Sequence, residues 1–364
     1  MATSDITYRP ADIADVDGIL ALRELVLPSS EYENREQLRA WWNWQFMENP
    51  AGKGIVWVAE KEGRIVGHDA VVPMKMQIDG TTFVVGNSMD TMTHPDYLRR
   101  GIFLNLARRV HTAAQVRGMA CIILLANNLS RGGFVKYLGG EHVANRPFWM
   151  HVAKTGSLCA LTEHLSPSTE QWVRSVLAGA STIADRSGRA LRARIQVHAE
   201  HIKDVEACTG GLWSRLALRS RVATVRDGEY LQWRYCQVPH RTYDFMVAYS
   251  SRGCEGYVVC GRRRINGQNV GVIYDIVGSS ASVLGELARS VVELNSGDST
   301  VGVTMCRFLA PVSYGVGLAG AGFLPVPLYR DTALCVARIE GGDFGRLVTR
   351  SHRWFHQIGD SAWV

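Results

Sequence analysis

The segment MDTMTHPDYLRRGIF, residues 89–103, contains the pattern that decides the fold. It begins with the residues of a β-strand, and Pro95 ends the pairing of that strand because proline has no amide hydrogen to donate. Arg99, Arg100 and Gly101 then precede an amphipathic run that is typical of a helix. The segment therefore predicts a strand, a basic turn and a helix whose N-terminus can face a ligand.

A turn of this kind suits a diphosphate group. The first N–H groups of a helix have no partner inside the helix, and its dipole is positive at that end. Gly101 permits a close approach of the backbone, and the two arginines add positive charge. An ordinary loop with solvated arginines explains the same residues, and both interpretations stay open at this point. The segment contains neither a GxGxxG nor a Walker A pattern, which disfavours a Rossmann or P-loop site there.

The flanking regions predict a mixed α/β sheet. Asp79 and Gly80 form a strong hairpin signal between two long strand patterns, and Gly118 ends the predicted helix. The predicted elements are strands over 55–60, 64–77 and 82–93, a helix over 102–117 and a buried strand over 119–126. A three-strand meander followed by a helix and a buried strand is therefore expected.

The second half repeats this order, which predicts two tandem copies of one α/β fold, each a mostly antiparallel sheet flanked by helices. Asn266-Gly267 is the matching hairpin turn. The repeated elements are strands over 243–249, 255–263, 270–277 and 300–305, with a helix over 281–294. We place the domains at residues 1–155 and 194–364, with a connection over 156–193.

Composition restricts the classes of function. The chain has 40 basic and 34 acidic residues, a net charge of +6, which suits anionic small molecules and does not require nucleic acid as a partner. Its eight cysteines form no CxxC pair and no zinc-type spacing, so we expect no metal and a reducing compartment. The acidic N-terminus and a longest apolar run of eight residues predict a cytoplasmic protein without a membrane segment.

Three stretches and the strand order resemble the GNAT superfamily of acyl-CoA-dependent N-acyltransferases. The stretches are ITYRPAD (6–12), HPDYLRRGIF (94–103) and LLANNLSRGGFVKYLGG (124–140). The resemblance covers about residues 5–153, and AGFLPVPLYRDTALCVA near the end of the chain looks like the end of such a domain. It implies an acyl-CoA co-substrate, either acetyl-CoA or a short hydroxyacyl-CoA.

In this family, the turn that corresponds to 97–103 holds the coenzyme A pyrophosphate, and the preceding strand pairs with the pantetheine amides. Leu98 and Phe103 depart from the family pattern at two positions, so the grip on pyrophosphate is expected to rest on the two arginines and on backbone amides. The implied coenzyme-binding residues are Met92, Thr93, Arg99, Arg100, Gly101, Ile102, Phe103 and Asn127.

The tandem arrangement resembles bacterial enzymes that acylate the amino group of a nucleotide-linked deoxyamino sugar. We expect the protein to be a monomer or a homodimer. Asp90 is the first candidate for the base that such a reaction needs, because it lies on the strand beside the thioester; an Asp paired with an Arg is the alternative. His94 is the second candidate, although His-Pro at a strand end is often structural. Direct attack in a ternary complex needs no covalent nucleophile.

In the second half, Arg234 is a candidate for gripping a nucleotide diphosphate, and Asp275 lies at the repeat equivalent of Asp90. A salt bridge explains Arg234 equally well. Because no basic turn follows Asp275, we expect the second copy to have lost coenzyme binding and to form a wall for the acceptor. Two other classes stay open: an aminoacyl-tRNA-dependent ligase of the peptidoglycan type, and a non-catalytic acyl-CoA sensor.

Overall fold

A computed structural model describes residues 6–28, 32, 34–126, 128–153, 196–200, 209, 211–216, 222–265, 267–326, 333–339, 348 and 350–361. Contacts divide the chain into two compact units. The first unit comprises Met1–Asn145, Gln237–Arg241 and Arg330–Ser351, and the second comprises Arg146–Cys236, Thr242–Tyr329 and His352–Val364. The predicted linker over 156–193 lies outside the described residues.

The first unit is a seven-stranded sheet with four described helices. Its strands are β1 (Thr7–Pro10), β2 (Ile55–Lys61), β3 (Arg64–Ile78), β4 (Thr81–Thr93), β5 (Cys121–Ala126), β6 (Gly140–Asn145) and β15 (Ala333–Arg338). Its helices are α1 (Val16–Val26), α2 (Arg35–Phe46), α3 (Ile102–Val116) and α4 (Asn128–Tyr137). The strand order is β1-β2-β3-β4-β5-β15-β6, and every neighbouring pair is antiparallel except the parallel pair β4-β5.

The hairpin between β3 and β4 confirms a prediction made from local sequence. Asp79 and Gly80 have φ angles of 48° and 89°. Positive φ at both central residues is the signature of a type I′ turn, whose twist matches that of the strands it joins. The turn therefore fixes the register of the two longest strands of this unit.

Helix α3 packs closely on β3 because Gly67 leaves room for it. A Cβ atom at this glycine would lie 2.5 Å from Ile102 Cγ2 and 3.0 Å from Leu106 Cδ1. Ile102, Leu106 and Val66 form a buried cluster at this contact. The close approach determines where the first turn of α3 lies relative to the end of β4.

The second unit contains the remaining elements. Its strands are β7 (Phe148–Val152), β8 (Gln196–Glu200), β9 (Val222–Thr224), β10 (Asp244–Ser250), β11 (Gly253–Ile265), β12 (Gln268–Gly278), β13 (Val301–Leu309), β14 (Leu324–Val326) and β16 (Trp354–Gln357). Its helices are α5 (Leu212–Leu216), α6 (Gly228–Leu231), α7 (Ala281–Ser296) and α8 (Val312–Gly320), and a π-helical turn spans Gln232–Cys236.

The second unit repeats the element order of the first. Strands β10, β11 and β12 form an antiparallel meander, α7 follows, and β13 pairs in parallel with β12. Ile265 pairs with Gln268 at the hairpin predicted there; Asn266 lies outside the described residues, and Gly267 has a φ of 78°. The same sequence of meander, helix and parallel strand thus occurs in both units.

One strand of each unit comes from a distant part of the chain. In the first unit, β15 pairs with both β5 and β6. In the second unit, β7 pairs with both β13 and β14, the elements that correspond to β5 and β6. The N-terminal segment of the first unit therefore ends at Asn145, and its last segment begins at Arg330, whereas the sequence places one boundary at residue 155.

Candidate functional site

Strand β4 has a β-bulge at the residue predicted as the base. Between its pairs with His68 and Ala70, β4 advances by three residues while β3 advances by two. Asp69 therefore lies opposite both Asp90 and Thr91. Asp90 has a φ of 49°, in the left-handed region that few residues other than glycine adopt. A bulge leaves its extra residue outside the ladder, so the backbone here is not fully used in strand pairing.

A gap opens between β4 and β5 next to this bulge. In the described part of the chain, the pairing of these strands is limited to Gly86 with Ile122 and Asn87 with Ile123. Both strands continue beyond this point without pairing with each other. The backbone edge of β4 over residues 88–93 therefore faces the gap. The sequence predicts pantetheine at this place, and its binding here stays a prediction.

The gap leads to the basic turn before α3. Arg99 and Gly101 have φ angles of 61° and 78°, and Arg99, Arg100 and Gly101 are all exposed. No side chain caps the N-terminus of α3. The Arg100 guanidinium lies 5.0 Å from the centre of the Tyr97 ring. Exposed positive charge and uncapped N–H donors are thus combined in one turn, which is the chemistry that binds a diphosphate.

The other predicted coenzyme contacts differ in what they can offer a ligand. The side chains of Met92 and Ile102 are 2% and 1% exposed, so only their backbone groups can reach one. Thr93 and Phe103 are partly exposed, and the Phe103 ring packs against Gly133 of α4. Asn127 lies outside the described residues.

The Asp90 side chain is engaged by an arginine. Arg23 Nε on α1 donates a hydrogen bond of 3.1 Å to Asp90 Oδ2, and both side chains are about nine-tenths buried. The Arg23 guanidinium also lies 4.7 Å from the centre of the Trp41 ring and 5.8 Å from that of Tyr32. Burial raises the pKa of Tyr32 to about 12, so this phenol stays neutral. The ion pair matches the alternative interpretation of Asp90, and its role as a base stays a prediction.

His94, the second candidate base, is held by groups of the protein. Arg64 Nη2 lies 2.7 Å from His94 Nε2, and the Asp96 N–H donates to His94 Nδ1 at 3.2 Å. The ring is 6% exposed and lines a pocket of about 320 Å³ that also includes Arg9 and Asp15. Both ring nitrogens therefore lie next to polar groups of the protein, which favours a structural role at the start of the turn.

Two buried residues beside the bulge were missed by the sequence analysis. The Thr91 hydroxyl donates to Asp69 Oδ1 at 2.7 Å, and burial, opposed by this hydrogen bond and by the Ala70 N–H, raises the pKa of Asp69 to about 7. His68 Nδ1 lies 2.7 Å from the Asp90 carbonyl oxygen, and burial lowers the pKa of its fully buried ring. A signal was present, because adjacent His and Asp residues interrupt the otherwise apolar strand RIVGHDAVVPM.

The corresponding gap in the second unit is occupied by the chain itself. Strand β12 also carries an extra residue near Asp275, and its pairing with β13 ends at Val272. Beyond this point, the Gln357 side chain accepts from the Ile276 N–H at 3.0 Å and donates to the Ile276 carbonyl at 2.8 Å. A side-chain amide thus satisfies the backbone groups that a pantetheine would need. The loss of coenzyme binding by the second copy stays a prediction.

Asp275 and Arg234, the predicted acceptor contacts, lie in the interior of the second unit. Asp275 is 0% exposed and pairs with the equally buried Arg226, which also pairs with Asp360. Arg234 is 3% exposed and donates to backbone carbonyls, including that of Gly359 at 2.8 Å. Both residues thus have structural partners, and contact with an acceptor stays a prediction.

Among the described residues, no group of three or more His, Cys, Asp or Glu side chains could hold a metal ion. None of the described helices combines the length and the apolar character needed to cross a membrane.

Residues 7–141 match the family model described as an acetyltransferase (GNAT) domain. The matched part includes the bulge, the gap beside β5 and the basic turn. This part of the chain is therefore similar to a GNAT acetyltransferase domain, as the resemblance predicted. A search of curated proteins gives no match.

The whole chain is similar in fold to solved N-acyltransferase structures. A GCN5-related N-acetyltransferase from Kribbella flavida has a TM-score of 0.61 at 14% identity, covering 92% of this chain and 72% of that one. A probable N-acyltransferase from Enterococcus faecalis V583 has 0.60 at 10%, with the same coverage. Saccharomyces cerevisiae N-myristoyltransferase with bound myristoyl-CoA has 0.60 at 9%, covering 94% and 81%. At these identities the similarity establishes the fold.

Proposed function

We propose that the protein is an acyl-CoA-dependent N-acyltransferase whose donor site lies in the first unit. The observation that carries the proposal is the gap between β4 and β5, which runs from the bulge at Asp90 to the uncapped N-terminus of α3. A strand edge can pair with the pantetheine amides, and the basic turn can bind the pyrophosphate. The GNAT domain match covers the same residues.

The arrangement provides what acyl transfer by direct attack needs. Backbone N–H groups at a bulge can stabilise the oxyanion that forms when an amine attacks the thioester carbonyl. A carboxylate beside this position can accept the proton that the nitrogen loses. Asp69 and Asp90 both lie at the bulge, so these two carboxylates are the candidates for the proton acceptor.

We propose a nucleotide-linked deoxyamino sugar as the acceptor and acetyl-CoA or a short hydroxyacyl-CoA as the donor. The support for this acceptor is the resemblance of the tandem arrangement to sugar N-acyltransferases. We also propose that the protein is cytoplasmic and that it is a monomer or a homodimer. An acyl-CoA sensor is distinguished from the enzyme by turnover.

The first experiment measures acetyl-CoA binding by isothermal titration. Replacing both Arg99 and Arg100 with alanine is expected to raise the Kd by at least about tenfold, because each charged hydrogen bond contributes about 1.5–3 kcal/mol. Arg108→Ala is the matched control, since it removes an exposed charge from the same helix away from its N-terminus. Equal affinities for wild type and the double variant would contradict the proposed role of the turn.

The second experiment follows thiol release from acetyl-CoA with a panel of amines. The panel contains a UDP-linked amino sugar, a free amino sugar, an amino acid and a polyamine. Turnover that is fastest with the UDP-linked sugar supports the proposed acceptor. Faster turnover with another amine would reassign the acceptor, and tight binding without any turnover would favour a sensor.

A further inference from the structure

The bulge brings a hydroxyl and a buried carboxyl into contact on one side of β4. The Thr91 hydroxyl donates to Asp69 Oδ1 at 2.7 Å. Asp69 is 3% exposed, whereas Thr91 is partly exposed on the strand that borders the gap. Of the two groups, the hydroxyl is therefore the more accessible to a ligand.

The other polar side chains at the bulge, Asp90 and His68, have partners within the protein. The Asp90 carboxylate is paired with the Arg23 guanidinium, which the rings of Trp41 and Tyr32 hold in place. His68 uses Nδ1 on the Asp90 carbonyl, and its other nitrogen is buried within a ring that is 0% exposed. Accepting a proton at Asp90 would leave Arg23 without its counter-charge in a buried position, which is costly.

We infer that Thr91 and Asp69 form the proton relay of the acyltransferase, a role that rests on the proposed function. The neutral amine attacks the thioester carbonyl, and the N–C bond forms. The nitrogen then gives its proton to Thr91 Oγ while the Thr91 hydroxyl proton passes to Asp69 Oδ1. The C–S bond breaks, and the departing thiolate takes that proton back through Thr91. The products are the amide and the free thiol, and the carboxylate is regenerated.

The surroundings of Asp69 suit this role. Burial raises its pKa to about 7, opposed by the Thr91 hydroxyl and the Ala70 N–H. Its neighbour on β2 is the uncharged Trp57, and no charged side chain among the described residues contributes to this pKa. A proton acceptor with a pKa near the working pH combines a large ionised fraction with useful basicity.

The test compares four variants in thiol release from acetyl-CoA, with the best amine of the panel and with water as the acceptor. Thr91→Val keeps the shape but removes the hydroxyl, and Asp69→Asn keeps the shape but removes the basicity. We expect both substitutions to lower kcat by about a hundredfold or more, because general-base catalysis usually accelerates a reaction by at least this factor. The Kd for acetyl-CoA should change little. Thr91→Ser restores the hydroxyl and is expected to recover most of kcat.

The pH profile separates a relay from a structural role. In the wild type, kcat should rise as pH passes about 7, where Asp69 ionises. This rise of kcat with pH should disappear in Asp69→Asn and persist in Asp90→Asn. Loss of the rise in Asp90→Asn alone, or a wild-type kcat in Thr91→Val, would overturn the relay.

Infrared spectroscopy tests whether Asp69 carries a proton, and this measurement needs no acceptor amine. Burial also raises the pKa of Asp275 to about 6, so the spectra of the wild type and of Asp69→Asn are compared band by band. The wild type should lose one protonated-carboxyl band as pH rises through about 7, and this band should be absent from Asp69→Asn at every pH. Identical carboxyl bands in the two proteins would refute the assignment. If acetyl-CoA does not bind, the proposed function fails; if the wild type turns over and these variants behave like it, only the relay fails.

Discussion

Replacing Gly67 with alanine tests whether the packing of α3 positions the coenzyme turn. The new Cβ would lie 2.5 Å from Ile102 Cγ2, 3.0 Å from Leu106 Cδ1 and 3.1 Å from Ala59 Cβ. Carbon atoms in contact prefer about 3.5–4.0 Å, so the first turn of α3 must move away from β3 by about 1 Å. Such overpacking costs about 1–3 kcal/mol of stability.

The shift should affect function as well as stability, because it moves the N–H groups that are expected to bind pyrophosphate. A displacement of this size can lower kcat/KM by up to about a hundredfold. Thermal unfolding and titration with acetyl-CoA measure the two effects. Gly132→Ala on α4 is the control, since its Cβ would meet nothing within 4 Å. A Gly67→Ala protein with wild-type Tm and wild-type affinity would refute the reasoning.

Two further predictions concern buried charges. Arg226→Met should destabilise the second unit by about 3–5 kcal/mol in chemical denaturation, because Asp275 and Asp360 would stay buried without their cation; a midpoint equal to that of wild type would contradict this. Asp69→Asn should change how stability depends on pH. The folded-state pKa of Asp69 is raised from 3.8 to about 7, so the native state holds the proton more tightly and the wild type loses up to about 4 kcal/mol as pH rises from 4 to 7. The variant should lack this loss, and parallel stability curves for the two proteins would argue against a buried, protonated Asp69.

The parts of the fold that the sequence predicts are those coded by local geometry. The Asp79-Gly80 turn needs positive φ at two adjacent residues, and Asp-Gly is one of the few dipeptides that readily adopt this conformation. Gly118, with a φ of 70°, ends α3 where expected. Because each signal depends on neighbouring residues, the meander and the helix after it could be located without a structure.

The exchange of β7 and β15 could not be predicted in the same way. Both are short strands, and an apolar strand pattern does not specify which distant strand it pairs with. Cys335, for example, pairs with Leu124, more than two hundred residues away in sequence. From sequence, each strand is therefore assigned to the domain nearest to it along the chain. In the structure, β7 pairs with strands of the second unit and β15 with strands of the first.

The sequence predicts a candidate site on one segment of the chain, and the role of that segment stays a prediction. The resemblance located the strand, the turn and Asp90, because these form one continuous segment. Arg23 and Asp69 come from α1 and β3, and only the folded sheet brings them to the bulge. The bulge itself depends on the relative register of two strands, which the pattern of residues in one strand does not contain.

The contrast between the two units gives a physical reason to expect a single coenzyme site. Both contain a bulged strand that separates from its parallel neighbour, so both have backbone groups that need partners. In the second unit, Gln357 satisfies Ile276 and also donates to Asp275, which pairs with Arg226. In the first unit, the corresponding edge faces a gap that ends at exposed arginines. Unpaired backbone groups cost free energy when they are buried, and a bound pantetheine would satisfy them, so the open gap is the one that acyl-CoA can stabilise.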